Sequence, residues 1–270
     1  MQISHPTDAD WPFFLAWAHR EGWRVPANEL ALFRGPLTEC AFVLKERGEP
    51  RGFVTAVRHE RSGWIGNLIV PADLRGRGCG AFLLRHALDI LRRRGVESIW
   101  LTASDLGRPI YEKLGFRRTD GIRRYTLTAG EEGVFSRPPA VAAEELLQGD
   151  CRVWGESRPL LAHLARGGFV AASGGTAALL QEGKTMRVIG PWLSTESCPR
   201  ENRLVLTALL SAAAPGTELA ADILESSPVG ALLAAAGFEP RGRTDLMVLG
   251  PSSGVRLSQL VALASLGSMG

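Results

Sequence analysis

Apolar and polar positions alternate in short runs over the first seventy residues, and this pattern predicts β-strands joined by tight turns. Three runs are rich in β-branched, aromatic or leucine residues and are separated by polar or glycine-containing links: Cys40–Leu44, Gly52–Arg58 and Trp64–Val70. Helices are predicted before them, starting at Asp8 and again over Pro26–Phe33. The first part of the chain is therefore predicted to be an antiparallel meander preceded by two helices.

After residue 80 the spacing of apolar residues changes from the two-residue period of a strand to the 3.6-residue period of a helix. Leu83, Ala87 and Leu91 fall on one face of a predicted helix that ends near Gly95, a typical residue after a helix C-terminus. Val96–Thr102 is predicted to be the next strand. The order strand, loop, helix, strand is that of a parallel strand pair with a helical crossover.

The loop of this unit carries the clearest chemical signal. Pro71 ends the strand, and Arg75-Gly76-Arg77-Gly78-Cys79-Gly80 opens the helix. Glycines let backbone N–H groups approach a phosphate, and the first turn of a helix favours negative charge. Two guanidinium groups add donors that suit phosphate oxygens. The loop is therefore predicted to bind a pyrophosphate.

Other glycine-rich sites fit the loop less well. A dinucleotide-binding turn follows its strand closely, whereas here Pro71–Arg75 intervenes, and the acidic residue expected at the end of the next strand is absent. The loop contains no Gly-Lys-Ser/Thr, which a P-loop requires. A purely structural turn needs neither three glycines nor two arginines.

Two stretches together resemble a known family. Val70–Gly80 resembles the R-x-x-G-x-G/A pyrophosphate loop of the GNAT superfamily of N-acetyltransferases, and Ser104–Phe116 resembles that family's short helix ending in Y-x-x-x-G-F. The close resemblance covers roughly residues 60–128. It implies that acetyl-CoA is the acyl donor, that the strand edge binds its pantetheine arm, and that Tyr111 is the general acid for the leaving thiolate.

By this resemblance, a set of cofactor-binding positions lies on the strand end, the loop and the following strand. These positions are Leu68, Ile69, Val70, Arg75, Gly76, Arg77, Gly78, Cys79, Gly80, Ala81 and Ser104. The backbone N–H of Leu68 or Ile69 is expected to polarise the thioester carbonyl. The general base is left open among four acidic residues: Glu21, Glu60, Asp73 and Asp105.

The implied function is transfer of an acetyl group from acetyl-CoA to a primary amine, by direct attack in a ternary complex. The alternative is a protein that binds acetyl-CoA as a sensor or scaffold and does not turn over. A small-molecule amine and a peptide amine both remain open as acceptors, because no motif marks the acceptor site. The oligomeric state is not predicted.

The second half reads as an altered copy of the first, with a helix predicted at Glu156–Ala165 and a strand predicted over Arg187–Gly190 that stops at Pro191. A polar linker is predicted at Glu131–Pro139, and Ala235–Phe238 echoes Leu114–Phe116. When Pro191 is aligned with Pro71, Thr195, Cys198 and Arg200 take the places of Arg75, Gly78 and Gly80, and aligning the later motifs puts Leu233 at the place of Tyr111. The copy is therefore predicted to lack its own acetyl-CoA, and Asp222 and Glu225 are its candidates for contact with an acceptor.

The predicted fold is α/β of the α+β type. It consists of two tandem GNAT-like domains, each a mixed, largely antiparallel sheet with a central splayed parallel strand pair flanked by helices. The catalytic domain is placed at residues 1–130 and the degenerate domain at 140–250, with a C-terminal tail or helix over 251–270. A last helix is predicted at Val255–Leu266.

Composition adds limits to this prediction. Apolar residues make up 45% and charged residues 22% of the chain, and four scattered cysteines without a C-x-x-C pair indicate reduced cytoplasmic thiols without a metal. Residues 1–130 carry 20 Lys and Arg against 14 Asp and Glu, whereas the remainder is acidic. A basic first half suits a polyphosphate cofactor. The dispersed charges do not favour nucleic acid, and no apolar run suggests a membrane partner.

Overall fold

The computed structural model describes residues 1–130, 142–184 and 186–270. Two compact units are formed, one by Met1–Leu101 with Gly267–Gly270 and the other by Thr102–Leu266. The linker predicted at Glu131–Pro139 lies outside the described residues. The predicted domain limits, 1–130 and 140–250, therefore stay a prediction.

The first unit contains five strands and three α-helices among its described residues. They are β1 (Gln2–Ser4), α1 (Trp11–Arg20), α2 (Ala27–Phe33), β2 (Ala41–Glu46), β3 (Glu49–Arg58), β4 (Ser62–Ile69), α3 (Cys79–Arg93) and β5 (Ser98–Ala103), the last of which begins in this unit and ends in the other. The predicted meander, both early helices and the crossover helix are confirmed. β3 and β4 begin earlier than predicted because their first residues alternate less clearly.

The sheet of this unit has the order β1-β2-β3-β4-β5, antiparallel except for the parallel pair β4–β5. Its two faces are covered by different helices. Gly52 faces Leu83 of α3, whereas its neighbour Phe53 contacts Trp11 and Trp17 of α1. Alternate residues of a strand point to opposite faces, so α3 and α1 cover opposite sides of the sheet.

The parallel pair β4–β5 is short. Pairing joins Ser62–Trp64 to Ser98–Trp100. Farther along β4 a bulge shifts its register with β3, and Asn67 takes a left-handed conformation with φ 50°. Among the described residues, the rest of β4 has no ladder partner on β5. The strands therefore separate at the end of β4 that leads to the glycine-rich loop, as the splayed pair of the prediction requires.

The second unit follows the same plan in its later part. Its elements are α4 (Arg108–Glu112), β6 (Arg117–Thr128), α5 (Ala143–Trp154), α6 (Leu161–Ala165), β7 (Phe169–Ser173), β8 (Thr176–Leu180), β9 (Met186–Ser194), α7 (Pro199–Ser211), β10 (Glu218–Leu224), α8 (Val229–Ala235), β11 (Glu239–Leu249) and β12 (Leu260–Ala262). In the part of the chain that the structure describes, no helix has the length and apolar character needed to cross a membrane.

The sheet of the second unit has the order β11-β6-β10-β12-β9-β8-β7. β9 and β10 also pair directly and in parallel over four residues. Leu209 of α7, Leu233 of α8 and Trp192 of β9 are buried in one apolar cluster against this sheet. This arrangement of β9, α7 and β10 repeats that of β4, α3 and β5.

The helix predicted at Val255–Leu266 is wrong. Its centre is β12, which lies antiparallel between β9 and β10, with Ala262 opposite Trp192 and Ile223. All residues from 260 to 264 are buried. When every residue of a stretch is buried, its apolar residues show neither the helical nor the strand spacing. The conformation then depends on the segments that pack against the stretch.

Two further predictions in this unit are wrong. The helix predicted at Glu156–Ala165 lies earlier, as α5, and only α6 remains of the predicted range. The strand predicted to stop at Pro191 continues to Ser194. Gly149 and Asp150 interrupt the apolar face of α5 in the sequence, but both are buried in the structure, where Asp150 has an ionic partner.

That partner makes Asp150 a test of packing in the second unit. Its carboxylate accepts hydrogen bonds from Arg158 at 2.8 and 3.1 Å, and both side chains are at most 2% exposed. Asp150→Asn removes the charge of a carboxylate that is buried with Arg158, so we expect the free energy of unfolding to fall by about 3–5 kcal/mol in urea titration. Glu239→Gln, in an exposed pair with Arg241, is the control, expected to cost about 0–1 kcal/mol. Equal losses of unfolding free energy in the two variants would contradict the burial of the Asp150–Arg158 ion pair.

Candidate functional site

The glycine-rich loop lies between β4 and α3 and presents an open backbone. Gly76 and Gly78 have φ values of 75° and 82°, a region that side-chain-bearing residues rarely adopt. A Cβ added at either position would meet no atom of the described residues within 4 Å. The backbone of the loop can therefore be approached by a large anion.

Helix α3 begins directly at this loop. Gly78 is its N-cap residue and makes no side-chain capping bond, so the N–H groups of Cys79, Gly80 and Ala81 are not capped by the residue that precedes them. The Cys79 thiol is buried and approaches the sulfur of Met1 at 4.0 Å. The first turn thus offers backbone donors and a positive dipole end, as an anion site requires.

The two arginines of the loop have different surroundings. Arg75 donates from Nε to the carbonyl oxygen of Val70 at 2.9 Å and forms an ion pair with Glu21. Arg77 is exposed and forms no ion pair with any residue that the structure describes. Arg75 therefore ties the loop to the end of β4, and Arg77 is the cation that is open to a phosphate. Glu21, one of the four candidates for the general base, is paired with Arg75.

The three predicted thioester and pantetheine positions lie at the end of β4, beside the gap that opens toward β5. Leu68 follows Asn67, whose side-chain amide donates to the hydroxyl of Thr55 at 3.4 Å. The side chains of Ile69 and Val70 are buried. This stretch and the glycine-rich loop are thus continuous in the first unit, with the strand edge leading into the anion site.

Tyr111 lies on α4, in the second unit. Its ring is buried and packs edge-on against Phe116 at a centroid distance of 5.9 Å. Burial raises the pKa of the phenol to about 12. The group is therefore fully protonated at neutral pH and able to donate a hydrogen bond.

Ser104 and Asp105 are engaged at the start of α4. The Ser104 hydroxyl accepts a hydrogen bond from the N–H of Gly107 at 3.3 Å, and its carbonyl oxygen accepts from Gly107 and Arg108. Asp105 pairs with Arg108 at 3.1 Å. The structure thus gives Ser104 a role in the turn that positions Tyr111, and its predicted cofactor role stays a prediction.

The second copy has filled the equivalent of the gap. β12 occupies the space between β9 and β10, and the first turn of α7 carries Glu201. Its carboxylate accepts hydrogen bonds from the N–H of Gly175 at 3.1 Å and from Thr176 Oγ1 at 3.2 Å. In the second copy a strand of the chain therefore fills the gap between the parallel strands, and the first turn of the helix after β9 carries an acid.

Asp222 and Glu225 are held by arginines. Asp222 is 1% exposed and accepts two hydrogen bonds from Arg124, at 2.8 and 2.7 Å. The hydrogen bond from Arg243, together with the charges of Arg243, Arg123 and Arg118, holds the pKa of Glu225 below its ordinary value. These ion pairs account for both carboxylates inside the second unit.

Three residues next to the predicted site were not singled out from the sequence: Glu29, Gly66 and Asn67. Glu29 is a buried acid on α2, and Gly66 lies in β4. A glycine inside a strand pattern is a signal for close approach of another backbone, and this signal was available for Gly66. In the described part of the chain, no group of three or more His, Cys, Asp or Glu residues is placed to hold a metal ion.

Comparison with known proteins agrees with this geometry. Residues 6–116 match the Acetyltransferase (GNAT) family. The chain is 38% identical over 66 residues to the ribosomal protein bS18-alanine N-acetyltransferase of Salmonella typhimurium, a match that covers 23% of this chain and 45% of that protein. The chain thus spans about half the length of this relative.

Two solved structures match almost the whole fold. A Pyrococcus horikoshii protein superposes with a TM-score of 0.80 at 20% identity, covering 99% of this chain and 95% of the other. A tandem GNAT protein from the clavulanic acid biosynthesis pathway superposes with a TM-score of 0.61 at 16% identity, covering 93% and 100%. The predicted fold of two GNAT-like copies is therefore confirmed.

The environment of Tyr111 is directly testable, because the chain has only one other tyrosine, Tyr125. In Tyr125→Phe, phenolate absorbance should appear with a midpoint near pH 12 rather than near 10. Since the unfolded chain ionises first, stability should be unaffected by this group below pH 10 and should fall between pH 10 and 12. A midpoint near 10 in the folded protein would contradict the burial of the phenol.

Proposed function

We propose that this chain, whose residues 6–116 match the GNAT acetyltransferase family, transfers an acetyl group from acetyl-CoA to a primary amine. In this proposal the first copy is the catalytic one. The protein acts in the cytoplasm. The second copy acts as the support of the first, because β12 occupies the corresponding gap there and Glu201 places an acid in the first turn of α7.

One observation carries this proposal: the open backbone of the loop at Gly76 and Gly78, continuous with the uncapped start of α3. Both glycines are left-handed, and a Cβ on either would meet no described atom, so a large anion can reach the backbone here. With the exposed Arg77 beside it, the loop suits the pyrophosphate of acetyl-CoA. The gap beyond Trp64 then gives the extended pantetheine a strand edge to bind.

The chemistry follows from the proposed positions. An N–H at Leu68 or Ile69 donates to the thioester oxygen and stabilises the negative charge that develops when the amine attacks. A C–N bond forms, the C–S bond breaks, and the amine loses its extra proton to a base or to water. Tyr111 donates to the departing sulfur. Because an ordinary thiol has a pKa of about 8.5, a phenol with a pKa of about 12 favours strong hydrogen bonding over complete proton transfer.

The loop assignment predicts that Gly78→Ala weakens acetyl-CoA binding at least tenfold in calorimetric titration, because the methyl group enters the phosphate space and disfavours the left-handed backbone. Gly95→Ala is a matched control. Gly95 has a φ of 75°, its Cβ would also meet no described atom, and it lies at the other end of α3. It should lose stability to a similar degree while keeping its affinity for acetyl-CoA. Unchanged affinity in Gly78→Ala would overturn the loop assignment.

The role of Tyr111 predicts that Tyr111→Phe lowers kcat for acetyl-CoA-dependent thiol release by about 10²–10⁴-fold, with little change in acetyl-CoA affinity. Phenylalanine preserves the packing against Phe116. Tyr125→Phe, the control, should retain full activity. Wild type, Tyr111→Phe and Tyr125→Phe are to be assayed with amino acids, polyamines, aminoglycosides and short peptides. Binding of acetyl-CoA without release for any acceptor would favour the sensor alternative, and equal release by wild type and Tyr111→Phe would remove Tyr111 as the acid.

A further inference from the structure

The residues Gly267–Gly270, here called the C-terminal strap, pack against β4. A Cβ on Gly66 would overlap the carbonyl oxygen of Gly267 and would lie 3.1 Å from Cα of Ser268. Ser268 and Met269 are at most 1% exposed, and His59 Nε2 lies 3.1 Å from the carbonyl oxygen of Met269. Only glycine at position 66 lets the strap lie this close to the strand.

The strap lies on the side of β4 away from α3. Gly63 faces Leu91 of α3, and Gly66, three residues farther along, points to the opposite face. On that face a Cβ at Gly267 would approach Oδ1 of Asn67 at 3.1 Å and a carboxylate oxygen of Glu29 at 3.6 Å. The strap therefore begins beside Asn67, the residue that precedes Leu68, and continues toward His59. It lies on the face of β4 opposite α3, which is the face left for an amine when the cofactor is bound at the loop that opens α3.

The second copy contains the same arrangement. Gly190 is the fourth residue after the start of β9, as Gly66 is in β4, and both starts begin the parallel pair of their sheet. A Cβ on Gly190 would overlap the carbonyl oxygen of Leu263. Successive stretches of one C-terminal segment therefore meet equivalent glycines in the two copies. In the second copy that segment begins as β12, which fills the gap permanently as part of the sheet.

We propose that the strap occupies the acceptor groove of the first copy as an intramolecular competitor, and that the acceptor is an extended peptide which replaces it. This inference rests on the proposed acetyl transfer. The groove already receives a polypeptide: Gly66 and His59 lie against main-chain carbonyl groups of the strap, and glycine and serine lie closest to the strand. An acceptor peptide with small residues near its amino group makes the same contacts and brings its amine toward Leu68.

When the strap is closed most of the time, the apparent affinity for the acceptor equals the intrinsic affinity multiplied by the fraction of molecules in which the groove is open. A groove open one-tenth of the time raises the acceptor KM about tenfold. The acetyl-CoA site on the loop is not covered by this contact. Removing the strap is therefore expected to lower the KM for a peptide acceptor while leaving acetyl-CoA affinity unchanged.

Two variants remove the strap independently: a chain ending at Leu266, and Gly66→Ala in the full chain. We expect each to lower the KM for peptides beginning with Ala, Ser or Gly at least tenfold. The combination should have no larger effect than either variant alone, because both act on one contact. Gly190→Ala is the matched control, since it disturbs the same contact in the second copy and should leave the acceptor KM unchanged.

The blocked peptide acetyl-Leu-Gly-Ser-Met-Gly-amide tests the groove in trans. It should inhibit the chain ending at Leu266 competitively with the acceptor peptide and not with acetyl-CoA. The competitor role would be overturned if the chain ending at Leu266 lost activity while Gly66→Ala remained active. An unchanged acceptor KM in both variants would overturn it as well. A preference for polyamines over every peptide would overturn the acceptor class.

Hydrogen exchange separates this proposal from the proposed function. In wild type the amides of residues 267–270 should exchange slowly, and an acceptor peptide should accelerate their exchange even if no acetyl transfer is detected. If a peptide accelerates exchange of the strap amides but no acetyl transfer is detected, the result counts against the acetyltransferase function alone. Slow exchange that no peptide changes, in a protein that does turn over, would overturn the strap proposal alone.

Discussion

The structure depends on a pair of parallel strands, present in each copy, that diverge after three or four paired residues. Backbone N–H and C=O groups inside a protein need partners, and two strands that separate after three or four residues leave a row of such groups without a ladder. β4 separates from β5 after Trp64, and the direct pairing of β9 with β10 ends after Ile189. Each copy must therefore supply something extended to the gap that follows.

The two copies meet this requirement differently. In the second copy, β12 supplies the strand, and Glu201 places a negative charge in the first turn of α7. In the first copy the loop at Gly76 and Gly78 remains open, and Arg77 remains exposed. The inserted strand β12 thus gives the backbone of the second copy the extended partner that the first copy leaves to a ligand in our proposal.

The sequence was informative where structure is local. The meander, the loop, α3 and the short helix carrying Tyr111 depend on neighbours along the chain, and their periods, glycines and prolines predicted them. β12 was not predictable, because its residues are buried on all sides and its partners, Trp192 and Ile223, are distant in sequence. The pairing of Arg75 with Val70 and Glu21 also required the folded chain, since the motif indicates only that a cation is present. Gly66 marked a close approach of backbone, but a glycine does not reveal which segment approaches.

The composition of the strap suits a contact that can open. Two of its four residues are glycine, and ordering glycine loses more conformational entropy than ordering any other residue. Burial of Met269 and the contact of its carbonyl oxygen with His59 oppose that loss. β12 has no glycine and pairs on both sides, so its ladder bonds and buried side chains hold it in the sheet. One C-terminal segment therefore contains a part that is paired on both sides in the sheet of the second copy and a glycine-rich part that, in our proposal, opens for the acceptor in the first copy.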